Sequence, residues 1–220
     1  FLGINISKIG FSMFVKQIIV TGFQPFGSYE FNPVKESTGH FPGKKMGEYG
    51  IVGMVLPCTY VGAFQLLEKA ISEINPAAIV STGLSSSVRG IRFETTGRNL
   101  VGSKYPDADG HQPNYMPLVE GGEEFVSANS NNLALANLLD ADGIPVEMSA
   151  NTDSFICDSL LYLTSRHIKM TSLATGNVFI HTPWTDNYRS RVELTPEKIT
   201  ISRKMLHRSI GLIVRNVCDN

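Results

Sequence analysis

Nucleophilic chemistry in this chain would have to come from three cysteines, five histidines and the carboxylates that can orient an imidazole. The stretch "NTDSFICDSLLYL", residues 151–163, puts Cys157 just inside the first turn of an apolar helix. A helix N-terminus carries unpaired N–H groups and partial positive charge, which together stabilise a thiolate. The competing reading is packing, because a buried free cysteine behaves as a small inert hydrophobe. A thiol nucleophile also needs a base within hydrogen-bond reach. His167 lies on the same helix ten residues on, roughly 15 Å away at 1.5 Å per residue, which is too far. His207 sits mid-helix in a stripe with Met205 and Arg203 and reads as a surface or partly packed helix residue. His40 and His111 occupy loops rich in Gly and Pro and stay open. His181 ends the apolar strand "NVFI" just before Pro183, and ligand sites in open α/β sheets gather at the carboxyl ends of strands. Cys157 likewise follows a strand, "PVEMSA", across a short turn, so the two side chains are expected over the same sheet edge. From position alone, that pairing and plain structural roles for both residues remain open. The acid that would orient the imidazole is open too, with Asp153, Asp158, Asp186 and Glu94 as candidates.

Other chemistries find less support. No group of His, Cys, Asp and Glu shows metal-ligand spacing. "TGLSSSVRG" (82–90) follows a strand but lacks the lysine and glycine spacing of a phosphate-binding loop. Nineteen basic and 20 acidic side chains nearly cancel, leaving no bulk field to recruit nucleic acid or an anionic membrane. No apolar run approaches the roughly 20 residues that span a bilayer. Three cysteines are a sparse, odd set that fits a reducing compartment better than a disulfide framework, so a cytoplasmic location is expected.

The elements that must position these residues follow a βα alternation. "KQIIVTG" (16–22), "GIVGMVLP" (50–57), "AAIVSTG" (77–83), "PVEMSA" (145–150) and "NVFIHTP" (177–183) are near-continuous apolar runs, as in strands covered on both faces. Helices are expected over 63–74, ending at Asn75-Pro76, over 130–143, ending at a glycine, and from Ile156 onward. A last helix is expected over 195–216, with Thr195 as N-cap and Pro196 at its first position. This order predicts a single-domain α/β protein, a three-layer α/β/α sandwich around a largely parallel (mixed) central sheet. "IRFETTGRN" (91–99) looks like a strand but carries charge along its length, which places it at an edge or beside a cleft. The following thirty or so residues lack periodicity and are long for slack, which predicts a functional loop or a subunit contact. Residues 1–12 make a poor secretory signal, and Met13 three residues before the first strand is taken as the natural start, with residues 1–12 an extension and 13–220 one domain.

Four segments, in order, resemble one family. "IIVTGFQPFGSYEFNP", "YPDADGHQP", "SFICDSLLY" and "FIHTPW" are similar to the signature segments of pyroglutamyl peptidase type I, also called pyrrolidone-carboxylate peptidase. The similarity runs from about Phe14 to the C-terminal helix. The resemblance implies a cysteine exopeptidase, an omega peptidase, that removes an N-terminal pyroglutamyl residue from peptides through a thiol acyl-enzyme. It implies no cofactor and no metal, and a homo-oligomer, dimer or tetramer. By the same alignment the nucleophile falls on Cys157, the histidine on His181, the glutamate on Glu94 and a following asparagine on Asn99. Phe23, Phe26, Phe155 and Ile156 match an apolar slot for the flat lactam, Asn32 matches a polar residue near it, and Leu84 is a further substrate-binding candidate. Two departures stand out. "GLSSSVRG" replaces the glycine-rich stretch common in bacterial members, putting Val88 where an arginine is usual, with Arg89 as a substitute. The arginine that commonly precedes the Pro-Asp loop, near the oxyanion, is here Lys104, which keeps the charge but loses the planar fork. The alternatives are a related thiol amidase acting on another lactam or small amide, and a catalytically silent peptide-binding homologue.

Overall fold

The computed structural model describes residues 16–103, 105–150, 154–192 and 199–219. The suggested extension, Thr195, Pro196, Asp153 and Lys104 lie outside the described residues. In chain order the elements are β1 (Gln17–Phe23), α1 (Pro33–Thr38), β2 (Lys45–Met46), β3 (Tyr49–Leu56), α2 (Gly62–Ile74), β4 (Ala78–Leu84), β5 (Ile91–Glu94), β6 (Thr96–Arg98), β7 (Phe125–Ser127), α3 (Asn132–Ala141), β8 (Val146–Ser149), α4 (Ile156–Thr171), β9 (Gly176–Thr182) and α5 (Arg203–Asn216).

Seven strands form one sheet in the order β2-β3-β1-β4-β9-β5-β8. Its centre, β3-β1-β4-β9, is parallel and apolar on both faces, as the continuous hydrophobic runs require. Period-two alternation then sorts the side chains. Ile18, Val20, Ala78, Val80, Val178 and Ile180 pack under α3 and α5. Ile19, Ile79 and Phe179 pack under α2 and α4. The result is a three-layer α/β/α fold.

Several local expectations change. β5 is not an edge strand but lies between β9 and β8, antiparallel to the first and parallel to the second. The edge on that side is β8. β8 therefore runs against β9, and its carboxyl end points away from the end that carries His181. The last helix does not reach back to residue 195 within the described chain: it begins at Arg203, with Ser202 as N-cap accepting from Met205 N–H at 3.0 Å. Residues 199–202 are not helical, and Ile201 bridges to Thr185. α1 was not anticipated, although Asn32-Pro33 spells its N-cap and first position, and Asn32 Oδ1 accepts from Val34 N–H at 3.2 Å.

The aperiodic segment after β6 is tied to α4 rather than loose. Asn99 Nδ2 donates to the carbonyls of Val119 and Gly122, and its Oδ1 accepts from Val119 N–H. Tyr162 on α4 donates to Glu123 O at 2.9 Å, and Lys169 pairs with the Glu123 carboxylate at 2.7 Å. Gly97 lets β6 lie directly on α4, since a Cβ there would stand 2.4 Å from Tyr162 N.

One ring contact is expected to make stability depend on pH. The His40 and His207 rings stack at 4.0 Å, among Lys44, Arg203 and Lys204, with Glu36 the nearby carboxylate. Burial, then the neighbouring His40, Arg203 and Lys44, push His207 from 6.5 down to about 4. Burial and Lys44 also lower His40. Both folded-state values lie below the unfolded value, so the unfolded chain takes up protons first as pH falls. Denaturant midpoints should therefore be level above pH 6.5 and fall between 6.5 and about 4, and His207→Phe should flatten that slope. An unchanged slope in the variant would exclude the stacked pair as its source.

Candidate active site

Cys157 is the second residue of α4. The N-cap, Phe155, makes no side-chain cap, and Ser154 before it takes a left-handed φ of 60°. The first-turn N–H groups have no intrahelical acceptors, so the backbone at Cys157 forms a positive, donor-rich edge. His181 sits on β9 and faces α4, because it lies two residues beyond Phe179 on the same side of the sheet. Glu94 ends β5 opposite Phe179, which makes His181 its diagonal neighbour across the antiparallel ladder. His181 Nδ1 and Glu94 Oε1 are 2.8 Å apart, with both side chains only about a tenth exposed. A carboxylate only accepts, so Nδ1 carries the proton and Nε2 is left for the other side of the ring.

Gly83 shows where that other side points. On β4 it pairs with His181, and a Cβ built there would lie 3.0 Å from Cys157 Sγ and 3.0 Å from His181 Nε2. Thiol and ring nitrogen thus flank one spot that only a residue without a side chain leaves vacant. The sequence contained this glycine, but nothing in its spacing marked it.

Cys157 and His181 stand between two cavities. The larger, about 590 Å³, is mostly apolar and brings together Phe23, Phe26, Asn32, Leu84, Phe155 and Ile156 with Tyr29, Phe31, Tyr105 and Trp184. Phe26 and Phe155 pack at 5.3 Å. Asn32, though it lines this space, also caps α1 and donates to Gln24 O at 3.2 Å. The smaller cavity, about 250 Å³, is polar, with Ser85, Ser87, Arg92, Thr96, Ser149 and Asp158 around the same pair and Glu94.

The remaining candidates have other partners. Asp158, in the wall of the polar cavity, accepts from the backbone N–H of Arg98, and Asp186 accepts from Thr200 Oγ1. His167 pairs with Glu68 at 3.2 Å, His111 packs edge-on to Tyr60, and His40 and His207 hold each other. Val88, which stands where an arginine is usual, is buried. Arg89 is exposed, its backbone N–H bonds Glu147 at 2.7 Å, and it is not among the residues lining either cavity. Buried Asp107 accepts from the N–H groups of Tyr60, Asp109 and His111, so the Pro-Asp loop is an organised turn. Among the described residues no group of three His, Cys, Asp or Glu could hold a metal, and no helix is long and apolar enough to cross a membrane.

Comparison with known proteins gives a consistent picture. The model of a family described as pyroglutamyl peptidase matches residues 16–202. A pyrrolidone-carboxylate peptidase of Bacillus cereus is 27% identical over 200 residues, covering 91% of this chain and 92% of that protein. The pyrrolidone-carboxylate peptidase of Thermococcus litoralis is 28% identical over 171 residues, 78% of each chain. The solved pyrrolidone carboxyl peptidase structure from T. litoralis superposes with a TM-score of 0.88 at 26% identity, covering 93% of this chain and 94% of that one.

Two outcomes follow from the geometry. Iodoacetamide should alkylate Cys157 well before Cys58, whose thiol burial pushes up to about 12 and which donates to Gln24 O. Mass mapping that finds Cys58 modified first in folded protein would contradict this. Gly83→Ala should slow alkylation of Cys157 about ten-fold or more in protein that still unfolds cooperatively, since a displacement of ~1 Å is enough to spoil such a pair. Alkylation at the parent rate would mean that the spot beside Gly83 is not shared.

Proposed function

Since this chain belongs to the pyroglutamyl peptidase family, we propose that it is a cysteine exopeptidase hydrolysing the bond after an N-terminal pyroglutamyl residue, with Cys157, His181 and Glu94 as its catalytic residues. One observation carries the reading: the thiol at a helix start and the free face of a Glu-tethered imidazole meet at one spot in the wall of an apolar cavity. The flat lactam is placed in the apolar cavity against the packed pair Phe26 and Phe155, with Phe23, Ile156, Leu84 and Asn32 around it.

In the proposed reaction the Cys157 proton passes to His181 Nε2, and the thiolate attacks the pyroglutamyl carbonyl, forming a C–S bond. First-turn N–H groups of α4 face the oxygen as it gains charge, and Lys104 is proposed as an added cation near it. The C–N bond then breaks as the imidazolium gives its proton to the leaving amine. Water attacks the thioester, His181 takes its proton, and the C–S bond breaks to release pyroglutamate and return the thiolate. Glu94 keeps the ring in the required tautomer and stabilises the imidazolium. We also read the protein as cytoplasmic, supported by three cysteines that form no disulfide, and as a homo-oligomer, supported by the exposed edge strand β8 with Met148 at 44% exposure.

Turnover of pyroglutamyl-aminomethylcoumarin, beside prolyl and other aminoacyl amides, tests the proposal. The pyroglutamyl amide alone should be cleaved. Cys157→Ala should abolish cleavage, Cys58→Ala and Cys218→Ala should retain most of it, and Glu94→Gln should lower kcat on the order of 10²-fold or more with a smaller change in KM. Cleavage by Cys157→Ala, or equal turnover of prolyl amide, would overturn it.

A further inference from the structure

The apolar cavity has two aromatic walls, and the lactam uses one. At the start of α4 stand Phe26 and Phe155, with Tyr60 edge-on behind Phe155 at 5.6 Å. Across the cavity stands Trp184, with Tyr29 edge-on at 4.9 Å and Phe31 at 6.0 Å. This second wall is built as a unit. Trp184, Tyr188 and Val192 form a small core of their own, with Phe31 and Leu84 packed on it, apart from the two cores on the faces of the sheet. Phe31 stacks on Tyr188 at 4.4 Å and 2°, and the Arg191 guanidinium lies 4.3 Å over the Phe31 ring.

The inference rests on the proposed function, which fixes the direction of the substrate. His181 must hand its proton to the leaving nitrogen, so the leaving residue lies on the side of His181. From His181 the chain runs through Thr182 and Pro183 into Trp184. We propose that Tyr29, Phe31 and Trp184 receive the side chain of the residue that follows pyroglutamate, and that the preferred substrates carry an aromatic or large apolar residue there. Among the described lining residues the cavity has no Lys, Arg, Asp or Glu. A charged second side chain would lose hydration there and find no charged partner among the described lining residues. Tyr29, at 43% exposure, stands where this wall meets solvent, so the rest of the peptide can continue outward.

The test is kcat/KM for pyroglutamyl-X-Ala tripeptides with X as Phe, Leu, Ala, Asp or Lys. Phe and Leu should exceed Ala by about ten-fold, with Asp and Lys below Ala. Tyr29→Ala should bring the Phe-to-Ala ratio toward one, and Tyr29→Phe should keep it. Because the readout is a ratio within one variant, a general loss of folded protein does not mimic it. Equal values for all X, an unchanged ratio in Tyr29→Ala, or a preference for Asp, which would assign the subsite to Arg191, would overturn the inference while leaving the pyroglutamyl reading standing. Cleavage of none of the peptides would overturn that reading and the inference with it.

Discussion

The hydrogen bond between His181 Nδ1 and Glu94 Oε1 exists because β5 runs against β9. In the parallel half of the sheet the residue level with His181 is Gly83 of β4, which offers no carboxylate. The reversed β5 instead ends with Glu94 one diagonal step from His181, on the face that α4 covers. At about a tenth exposure the pair is shielded from water, where a charge-assisted hydrogen bond is strong and its geometry well defined. With Nδ1 committed, the opposite edge of the ring faces α4, and Gly83 on the neighbouring strand leaves the gap in which Cys157 Sγ can stand.

Placing this arrangement between a polar cavity and an apolar one gives the two halves of the proposed reaction different surroundings. The apolar space of about 590 Å³ favours a neutral, flat acyl group and strips water from it. The polar space of about 250 Å³, rimmed by hydroxyls and by Arg92, keeps acceptors and donors beside Glu94 and Cys157. The imidazole belongs to both, as a group that passes protons between a bound acyl carbon and water must.

Much of this was legible in the sequence, unevenly. The continuous apolar runs located the buried strands β1, β3, β4 and β9, because a strand covered on both faces has no polar side to interrupt it, whereas "PVEMSA" is the half-exposed edge strand β8. The start of α4 was legible from Cys157 and the apolar stripe behind it. Glu94 was named through the family resemblance, while spacing alone did not separate it from Asp158 and Asp186, since that depends on strand direction; the charge in "IRFE" suggested an edge or a cleft, and it is the cleft that Arg92 and Glu94 line. The meeting of Cys157 and His181 was expected from two strand carboxyl ends on one edge. β8 in fact points the other way, so its carboxyl end alone does not place Cys157 beside His181. Gly83 carries no signal of its own, because a missing side chain gains meaning only from the atoms that fill its place.

Catalysis by Cys157 requires an acyl group on its sulfur, and the direct measurement is to trap it. Acid quenching during steady-state turnover of a pyroglutamyl peptide, followed by peptide mapping, should find a pyroglutamyl thioester on the peptide that carries Cys157, and less of it in Gly83→Ala. Undiminished turnover with no acyl adduct on Cys157, or with the adduct on another residue, would contradict it.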